Sequence, residues 1–246
     1  SAGGVMAEGE ASARLGMAGI PAVSESTMIA RDGALAGLED ARVHVQHLSA
    51  RISVEALAAA KAAGARITGE ACPHHLLLTD EEVLSLDTRF KMNPPLRTAD
   101  DRAALVEALR DGTIDCVATD HAPHARDEKE VPFEEAPMGT TGLETAFAAL
   151  HTELVLPGVL SLELLVERMT AGGGLFGLAV PRIAAGETAN LVLVDLGQAW
   201  TVGEAGYESR SENCCFAGRE LRGRVLLTIA DGAVAYRHRA FAVSAA

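Results

Sequence analysis

The 246-residue sequence is poor in aromatic residues, has fewer basic than acidic residues, and contains no long apolar run. Lysine and arginine together number 21, against 34 aspartates and glutamates, which gives a formal net charge of −13. This balance argues against binding to nucleic acid or to anionic membranes, since both need clustered basic residues. No apolar stretch reaches the roughly 18 residues that a membrane-spanning helix requires. Nucleic acid and membranes are therefore not among the expected partners.

The four cysteines, Cys72, Cys116, Cys214 and Cys215, have no C-x-x-C spacing. Adjacent cysteines such as the last two make a poor disulfide pair, so we expect reduced thiols and a cytoplasmic location. Aromatic residues make up only 4% of the chain, whereas glycine occurs 24 times, and this composition suits close packing of helices on a sheet. At this length the chain can form one large α/β domain, alone or with a small appendage.

Three strand-like runs, at residues 42–48, 65–71 and 114–119, are each followed by a helical pattern. The first run alternates, with Val43, Val45 and His47 on one predicted face. Strand and helix in regular alternation predict a parallel sheet with crossover helices. The pattern does not distinguish a closed barrel from an open sheet.

Serine and threonine residues before helical patterns predict where helices begin. Thr98 forms a capping box with Asp101, and further helices are expected to start around Ser53, Thr141 and Ser161. Beyond Pro181 the helical periodicity disappears and short β-like runs follow, with Asp231-Gly232 as a hairpin turn. The sequence thus predicts two domains, residues 1–180 and a small β-domain at residues 181–246.

Ionisable side chains stand at the end of each of the three predicted strands. They are His47 at the end of the first strand, Glu70, His74 and His75 at the second, and Asp120, His121 and His124 after the third. A lone histidine on an apolar strand is more often a hydrogen-bonded core residue than a ligand. A histidine and an aspartate at the ends of nearby parallel strands can, however, face a common point. Imidazole and carboxylate together suit a catalytic Zn²⁺ ion.

Five runs of the sequence carry a resemblance to a known family. They are HVQHLSA, GEACPHHLLLTDEE, FKMNPPLRTADDR, GTIDCVATDHAPHARDEKE and APMGTTGLET. Together they resemble the class I dihydroorotases of the cyclic amidohydrolase superfamily. Related hydantoinases share the architecture but lack the combination of NPPLR with TDHAPH. The resemblance implies a (β/α)₈ TIM-type barrel with a small C-terminal β-domain.

The same resemblance implies zinc-dependent opening of the cyclic amide of dihydroorotate to carbamoyl-aspartate, and the reverse cyclisation, in pyrimidine synthesis. One or two Zn²⁺ ions are implied for each complete site. Also implied are a homo-oligomer and an association with aspartate carbamoyltransferase. The implied residues are His47 as metal ligand, Asp120 as metal ligand and catalytic proton carrier, and Asn93, His124, Met138 and Gly139 as substrate-binding residues.

The sequence also departs from that family. Nothing in it matches the two metal-binding histidines of the family's first strand, the bridging carboxylate or the fifth-strand histidine. We therefore expect the chain to correspond to the second half of the barrel. Whether the chain is active by itself stays open at this point. Glu70, His74 and His75 are expected beside the metal ligands or in structural roles. The alternatives are a hydantoinase- or allantoinase-like cyclic amidase, and an inactive homologue that serves as a structural partner.

Overall fold

The computed structural model describes residues 3–239 and 241. Its strands are β1 (Met6–Ala7), β2 (Gly19–Ile20), β3 (Val43–Val45), β4 (Ile67–Ala71), β5 (Cys116–Val117), β6 (Leu191–Thr201), β7 (Glu220–Ala230) and β8 (Ala233–Arg237). The α-helices are α1 (Glu10–Leu15), α2 (Val23–Glu39), α3 (Arg51–Ala62), α4 (Pro73–Leu77), α5 (Ala99–Asp111), α6 (Arg126–Lys129), α7 (Ala146–Leu150) and α8 (Leu162–Leu175). None of the helices in this part of the chain has the length and apolar character needed to cross a bilayer.

The predicted parallel sheet is present and has the order β3-β4-β5. All three strands end at the same edge, because parallel neighbours run in one direction. β3 is shorter than predicted, since His47 leaves the extended conformation (φ 40°). The expected alternation of Val43, Val45 and His47 on one face is therefore wrong at its last position.

The two faces of this sheet differ in polarity. On one face, the two ring nitrogens of His44 contact Thr68 Oγ1 at 2.8 Å and Glu70 Oε2 at 3.0 Å. The other face packs against helices, and Gly69 permits the close approach of α3. A Cβ atom at Gly69 would lie 2.7 Å from Leu57 Cδ2, so a larger residue would push α3 away from β4.

Two apolar cores hold the described chain together. The core between the parallel sheet and its helices includes Leu48, Leu57, Leu105, Leu109 and Ile114, all fully buried. The other core includes Met6, Leu78, Met92, Phe216 and Leu221. Residues from both ends of the chain meet in this second core, and it fixes the loops that follow the parallel strands. All four cysteines are free and buried.

Two of the predicted helix starts are confirmed. Thr98 Oγ1 accepts the backbone N–H of Asp101 at 3.2 Å, and Ser161 Oγ accepts a backbone N–H of α8 at 3.1 Å. The predictions at Ser53 and Thr141 are wrong: Ser53 is buried inside α3, which begins at Arg51, and α7 begins after Thr145.

The C-terminal strands β6, β7 and β8 form a separate antiparallel sheet. Asp231 and Gly232 join β7 to β8 with φ angles of 49° and 76°, the left-handed pair that a type I′ hairpin turn requires. The turn prediction is thus confirmed. The segment after α7 is attached to β7, because Arg222 N donates to Thr152 Oγ1 at 2.8 Å.

Candidate active site

His47 follows β3 in a left-handed backbone conformation. Such angles are uncommon outside glycine, cost on the order of 1–3 kcal/mol, and cluster at functional sites. Its Nδ1 atom is buried and has no hydrogen-bond partner within the described residues. Leaving a buried ring nitrogen unpaired costs about 1–3 kcal/mol, which a bound metal ion would offset. His47 thus has the free buried nitrogen that a metal ligand needs.

Asp120 stands three residues after β5 and has the same unusual backbone, with φ 45°. Five non-glycine residues of the described chain have positive φ, and His47 and Asp120 are two of them. Asp120 is partly exposed, so its carboxylate is accessible to a ligand. Ligand-type residues with the same backbone geometry therefore end two strands of one parallel sheet.

A cavity of about 460 Å³ lies beside β3. His47 and Asn93 both line it, as do His44 and Arg97. Its volume is within the range of small-molecule sites, which is about 300–1,000 Å³. Asp120 is not among the lining residues of this cavity. The described chain therefore brings Asn93 to His47 but leaves Asp120 outside this space.

A buried ionic network forms one wall of the cavity. The Arg97 side chain is 4% exposed, and its Nε donates to Ser49 Oγ at 2.8 Å. Ser49 N donates to Glu25 Oε1 at 2.9 Å, and the Ser49 hydroxyl donates to the same carboxylate. Sequence reasoning missed this network. The available signal was the arginine that ends the NPPLR run.

His124 contacts a different loop, at residues 137–139. Its Nε2 donates to the carbonyl of Met138 at 3.0 Å. Gly139 has φ 142°, and a Cβ atom there would lie 2.6 Å from Ala122 Cβ and 2.9 Å from His124 Nε2, so this position requires glycine. Three of the predicted substrate-binding residues, His124, Met138 and Gly139, thus lie together. His124 lines a second cavity of about 460 Å³.

Asn213 ties this loop to the segment after β5, and sequence reasoning gave it no role. Its Nδ2 donates to the carbonyls of Ala122 at 2.9 Å and Gly139 at 3.2 Å, while its Oδ1 accepts the N–H of His124 at 3.2 Å. One side chain thereby fixes the spacing between His124 and the loop it contacts.

Lys129 also holds the loop at residues 137–139, and sequence reasoning gave it no role. The residue is 7% exposed, and its Nζ donates to the carbonyls of Pro137 at 2.9 Å and Gly139 at 3.1 Å. Burial lowers the pKa of Lys129 to about 8, with a further lowering from Lys91 and an opposing effect from Asp87. A buried ammonium group that holds two carbonyls of one loop is a positioning device.

The low pKa of Lys129 predicts a pH dependence of stability. Between about pH 8 and pH 10.5 the unfolded chain holds a proton that the folded chain has released. The free energy of unfolding therefore rises with pH in this window, by at most about 1.4 kcal/mol per pH unit from this group. Urea unfolding of the wild type and of Lys129→Met at pH 8 and pH 10 checks this.

The difference between the two proteins isolates Lys129, because every other group titrates in both. We expect the wild type to gain stability relative to Lys129→Met as the pH rises. If the stability difference between the two proteins is the same at pH 8 and pH 10, the pKa of Lys129 is not lowered in the folded chain.

Two groups of ligand-type side chains have ligand atoms within 4.8 Å of one another: Cys72 with His74 and His75, and His44 with Glu70 and Cys116. Neither group includes His47 or Asp120, so among the described residues the two predicted metal ligands do not form such a cluster.

The first of these groups lies next to both predicted metal ligands. Burial lowers the pKa of His74 well below its usual value and that of His75 to about 4, and His47 adds to both effects. Burial raises the pKa of the Cys72 thiol well above its usual value, and the Asp120 carboxylate adds to this. The group is therefore within electrostatic range of both His47 and Asp120.

Comparison with known proteins gives the family of the chain. The amidohydrolase family model matches residues 20–235. Dihydroorotases of Bacillus cereus (strain G9842) and Bacillus thuringiensis (strain Al Hakam) are each 44% identical to the chain over 235 residues, which is 95% of this chain and 55% of the relative. The chain thus spans about half the length of the curated relatives it matches.

Solved structures of cyclic amidases are similar in fold. The dihydropyrimidinase from Brevibacillus agri NCHU1002 matches with a TM-score of 0.81 and 28% identity, over 88% of this chain and 49% of that one. The L-hydantoinase from Arthrobacter aurescens matches with a TM-score of 0.79 and 30% identity, over 85% and 48% of the two chains. The fold is accordingly α/β of the TIM-barrel type, and the chain belongs to the amidohydrolase family.

Proposed function

We propose that this chain forms the C-terminal half of a metal-dependent dihydroorotase, which opens the cyclic amide of dihydroorotate to carbamoyl-aspartate and catalyses the reverse cyclisation in pyrimidine synthesis. The observation that carries the proposal is the pair His47 and Asp120, which end parallel strands with left-handed backbones in a chain similar to Bacillus dihydroorotases. The alignment with the Bacillus relative covers 95% of the chain and so includes the segments around His47 and Asp120.

His47 and Asp120 are the residues that would hold the metal, for which we propose zinc, with one or two ions in each complete site. The unpaired buried Nδ1 of His47 supports this assignment, because imidazole and carboxylate are ligands that zinc accepts. When bound, zinc lowers the pKa of a coordinated water to about 7 and so supplies a nucleophile at neutral pH.

Asp120 carries the proton in this proposal. One of its carboxylate oxygens accepts a proton from the attacking water and returns it to the ring nitrogen as the amide bond breaks. For ring closure, the same carboxylate transfers the proton in the opposite direction. The partial exposure of Asp120 supports this role, since its carboxylate must meet substrate.

The substrate-binding groups are Asn93, His124 and the loop of Met138 and Gly139. The substrate is an anion, whereas the chain has a net charge of −13, so local donors must hold it. The Asn93 amide beside His47 is such a donor. The imidazole of His124 is a second one when Nδ1 also carries a proton, because its Nε2–H already donates to the Met138 carbonyl. In the described chain Asn93 and His124 line different cavities. We propose that both face one bound substrate in the complete barrel.

The remaining features of the proposal follow the family. We propose that residues 1–180 belong to the barrel and residues 181–246 to a small β-domain; the separate antiparallel sheet of β6 to β8 supports this division. The packing of residues 202 and 214–216 into the core around Met6 joins the two parts. We also propose a cytoplasmic homo-oligomer, associated with aspartate carbamoyltransferase.

The hydantoinase structures favour a second candidate, a hydantoinase-like cyclic amidase. Assays of the complete enzyme on dihydroorotate, hydantoin and allantoin separate the two. We expect dihydroorotate to be preferred by at least about tenfold in kcat/KM, since a site built for a carboxylate rejects substrates that lack one. A preference for hydantoin or allantoin would replace the dihydroorotase assignment. Absence of turnover on all three would favour an inactive structural homologue.

Asn93→Ala and His124→Ala are each expected to raise KM for dihydroorotate by about 10- to 100-fold, because each removes a hydrogen bond to a charged substrate. Bound metal should remain unchanged in both variants, since neither residue is assigned to the metal. Steady-state kinetics and metal analysis of the complete enzyme check this. Gln198→Ala, an amide deletion on the remote strand β6, is the control. Loss of metal from either variant would move that residue to the metal centre.

A further inference from the structure

We propose that Cys72, His74 and His75 form a metal site of their own, for a thiophilic divalent ion such as Zn²⁺, beside the proposed catalytic centre but separate from it. The inference concerns residues that the dihydroorotase proposal does not use as ligands. It stands on their geometry and holds whichever cyclic amide the complete enzyme opens.

The local backbone brings the three side chains together. Cys72 directly follows β4 and precedes α4, whose first turn contains His74 and His75. Pro73 stands at the first position of this helix, where its fixed φ stiffens the link between the thiol and the imidazoles. The ligand atoms lie within 4.8 Å of one another. A tetrahedral zinc ion with bonds of about 2.0–2.3 Å needs separations of about 3.3–3.8 Å, so rotamer adjustments of about an ångström close the site.

The two imidazoles each present a buried nitrogen that nothing in the described chain satisfies. His74 and His75 are only 2% and 3% exposed, and His74 Nε2 and His75 Nδ1 have no hydrogen-bond partner there. His75 Nε2 donates to the carbonyl of Pro94 at 2.8 Å, which leaves Nδ1 with its lone pair. A metal-binding histidine typically donates its other ring N–H to such an acceptor, which fixes the tautomer and the ring orientation.

The surroundings of the thiol are acidic. Burial raises the pKa of the Cys72 thiol well above its usual value, and the carboxylates of Asp120 and Glu70 raise it further. Zinc binds cysteine as the thiolate, and a divalent ion compensates the negative charge that these three groups then share.

The other ligand-type group is a weaker candidate. In the group of His44, Glu70 and Cys116, both ring nitrogens of His44 already contact Thr68 and Glu70. Its imidazole therefore offers no free lone pair without the loss of a hydrogen bond. Cys116 nevertheless provides a matched control, because it is a second buried cysteine and lies in β5, the strand next to β4.

Cobalt titration of the reduced 246-residue chain tests the site, because a thiolate bound to Co²⁺ gives a charge-transfer absorption that nitrogen and oxygen ligands do not. We expect one Co²⁺ per chain with this band, its loss in Cys72→Ser, and its retention in Cys116→Ser. His74→Gln, which keeps the thiol, should weaken Co²⁺ binding by at least about tenfold. His47→Ala should keep the band, which separates the site from the proposed catalytic centre.

Thermal unfolding gives a second readout that does not depend on colour. One equivalent of Zn²⁺ should raise the Tm of the wild type and of Cys116→Ser, but not that of Cys72→Ser or His74→Gln, since an ion that binds only the folded state stabilises it. No band in the wild type, a band that survives Cys72→Ser, or a band lost in Cys116→Ser or His47→Ala would each overturn the proposal. If Cys72→Ser does not fold, the result for His74→Gln decides.

Discussion

Asp120→Asn is expected to abolish dihydroorotate turnover in the complete enzyme while the fold remains intact. The substitution keeps the size of the side chain but removes the carboxylate that we propose to bind the metal and carry the proton. General acid–base groups typically contribute about 10²- to 10⁴-fold to the rate, so we expect kcat to fall by at least about 100-fold. Steady-state kinetics measure the loss, and circular dichroism with thermal unfolding verifies the fold.

Asp127→Asn is the matched control, because Asp127 is exposed on α6, seven residues further along the chain. It should retain wild-type turnover. An Asp120→Asn enzyme with more than about a tenth of wild-type activity would remove Asp120 from its proposed catalytic role.

The second large effect concerns the chain by itself, which we expect to be inactive on dihydroorotate. A catalytic zinc site normally has about three protein ligands, and we assign two in this chain, His47 and Asp120. In its described part, β3 and β5 are also the edge strands of the parallel sheet. Open edges of this kind invite association with other chains. We propose the part of Bacillus cereus dihydroorotase that lies outside the matched region as a partner with which to test this.

Co-expression with that Bacillus segment should raise turnover by at least about 100-fold over the chain alone, because a complete ligand set restores the metal-bound nucleophile. Size-exclusion chromatography should show that the chain alone self-associates and that the co-expressed chain elutes as a defined complex. The same co-expression with His47→Ala in this chain is the control and should remain inactive. A monomeric chain that turns over dihydroorotate alone would require a different ligand set.

Local signals predicted the helix starts at Thr98 and Ser161 and the hairpin turn at Asp231-Gly232 correctly. Each depends on contacts within four residues, so the sequence pattern contains the whole interaction. The alternation of strand and helix patterns likewise predicted the parallel sheet. The hydrophobic pattern of each element shows which of its faces is buried, and helices that alternate with strands can cover a parallel sheet.

The errors arose where distant residues replace a local cap. Ser53 does not start α3, because Arg51 N donates to the carboxylate of Asp101 at 2.9 Å from far along the chain. The helix expected to start around Thr141 begins only at Ala146, and the nearby Glu144 carboxylate instead accepts the N–H groups of Glu208 and Ser209, both at 2.9 Å. Spacing within one segment contains no information about such partners.

The candidate site was predicted unevenly for the same reason. His47 and Asp120 could be proposed as site residues because ionisable residues at the ends of apolar strands are conspicuous in a sequence. Arg97, Lys129 and Asn213 could not, since each acts through contacts with loops at least eight residues away. The roles of Lys129 and Asn213 depend on carbonyl groups, which no side-chain pattern records, and that of Arg97 depends on a serine hydroxyl from a distant loop.

Anomalous diffraction at the zinc absorption edge, from crystals of the complete enzyme, tests whether His47 and Asp120 bind the metal. We expect a zinc peak within about 2.0–2.2 Å of a ring nitrogen of His47 and of a carboxylate oxygen of Asp120. A peak at Cys72, His74 and His75 in addition would agree with the separate site proposed there. Zinc peaks that contact neither His47 nor Asp120 would contradict the account.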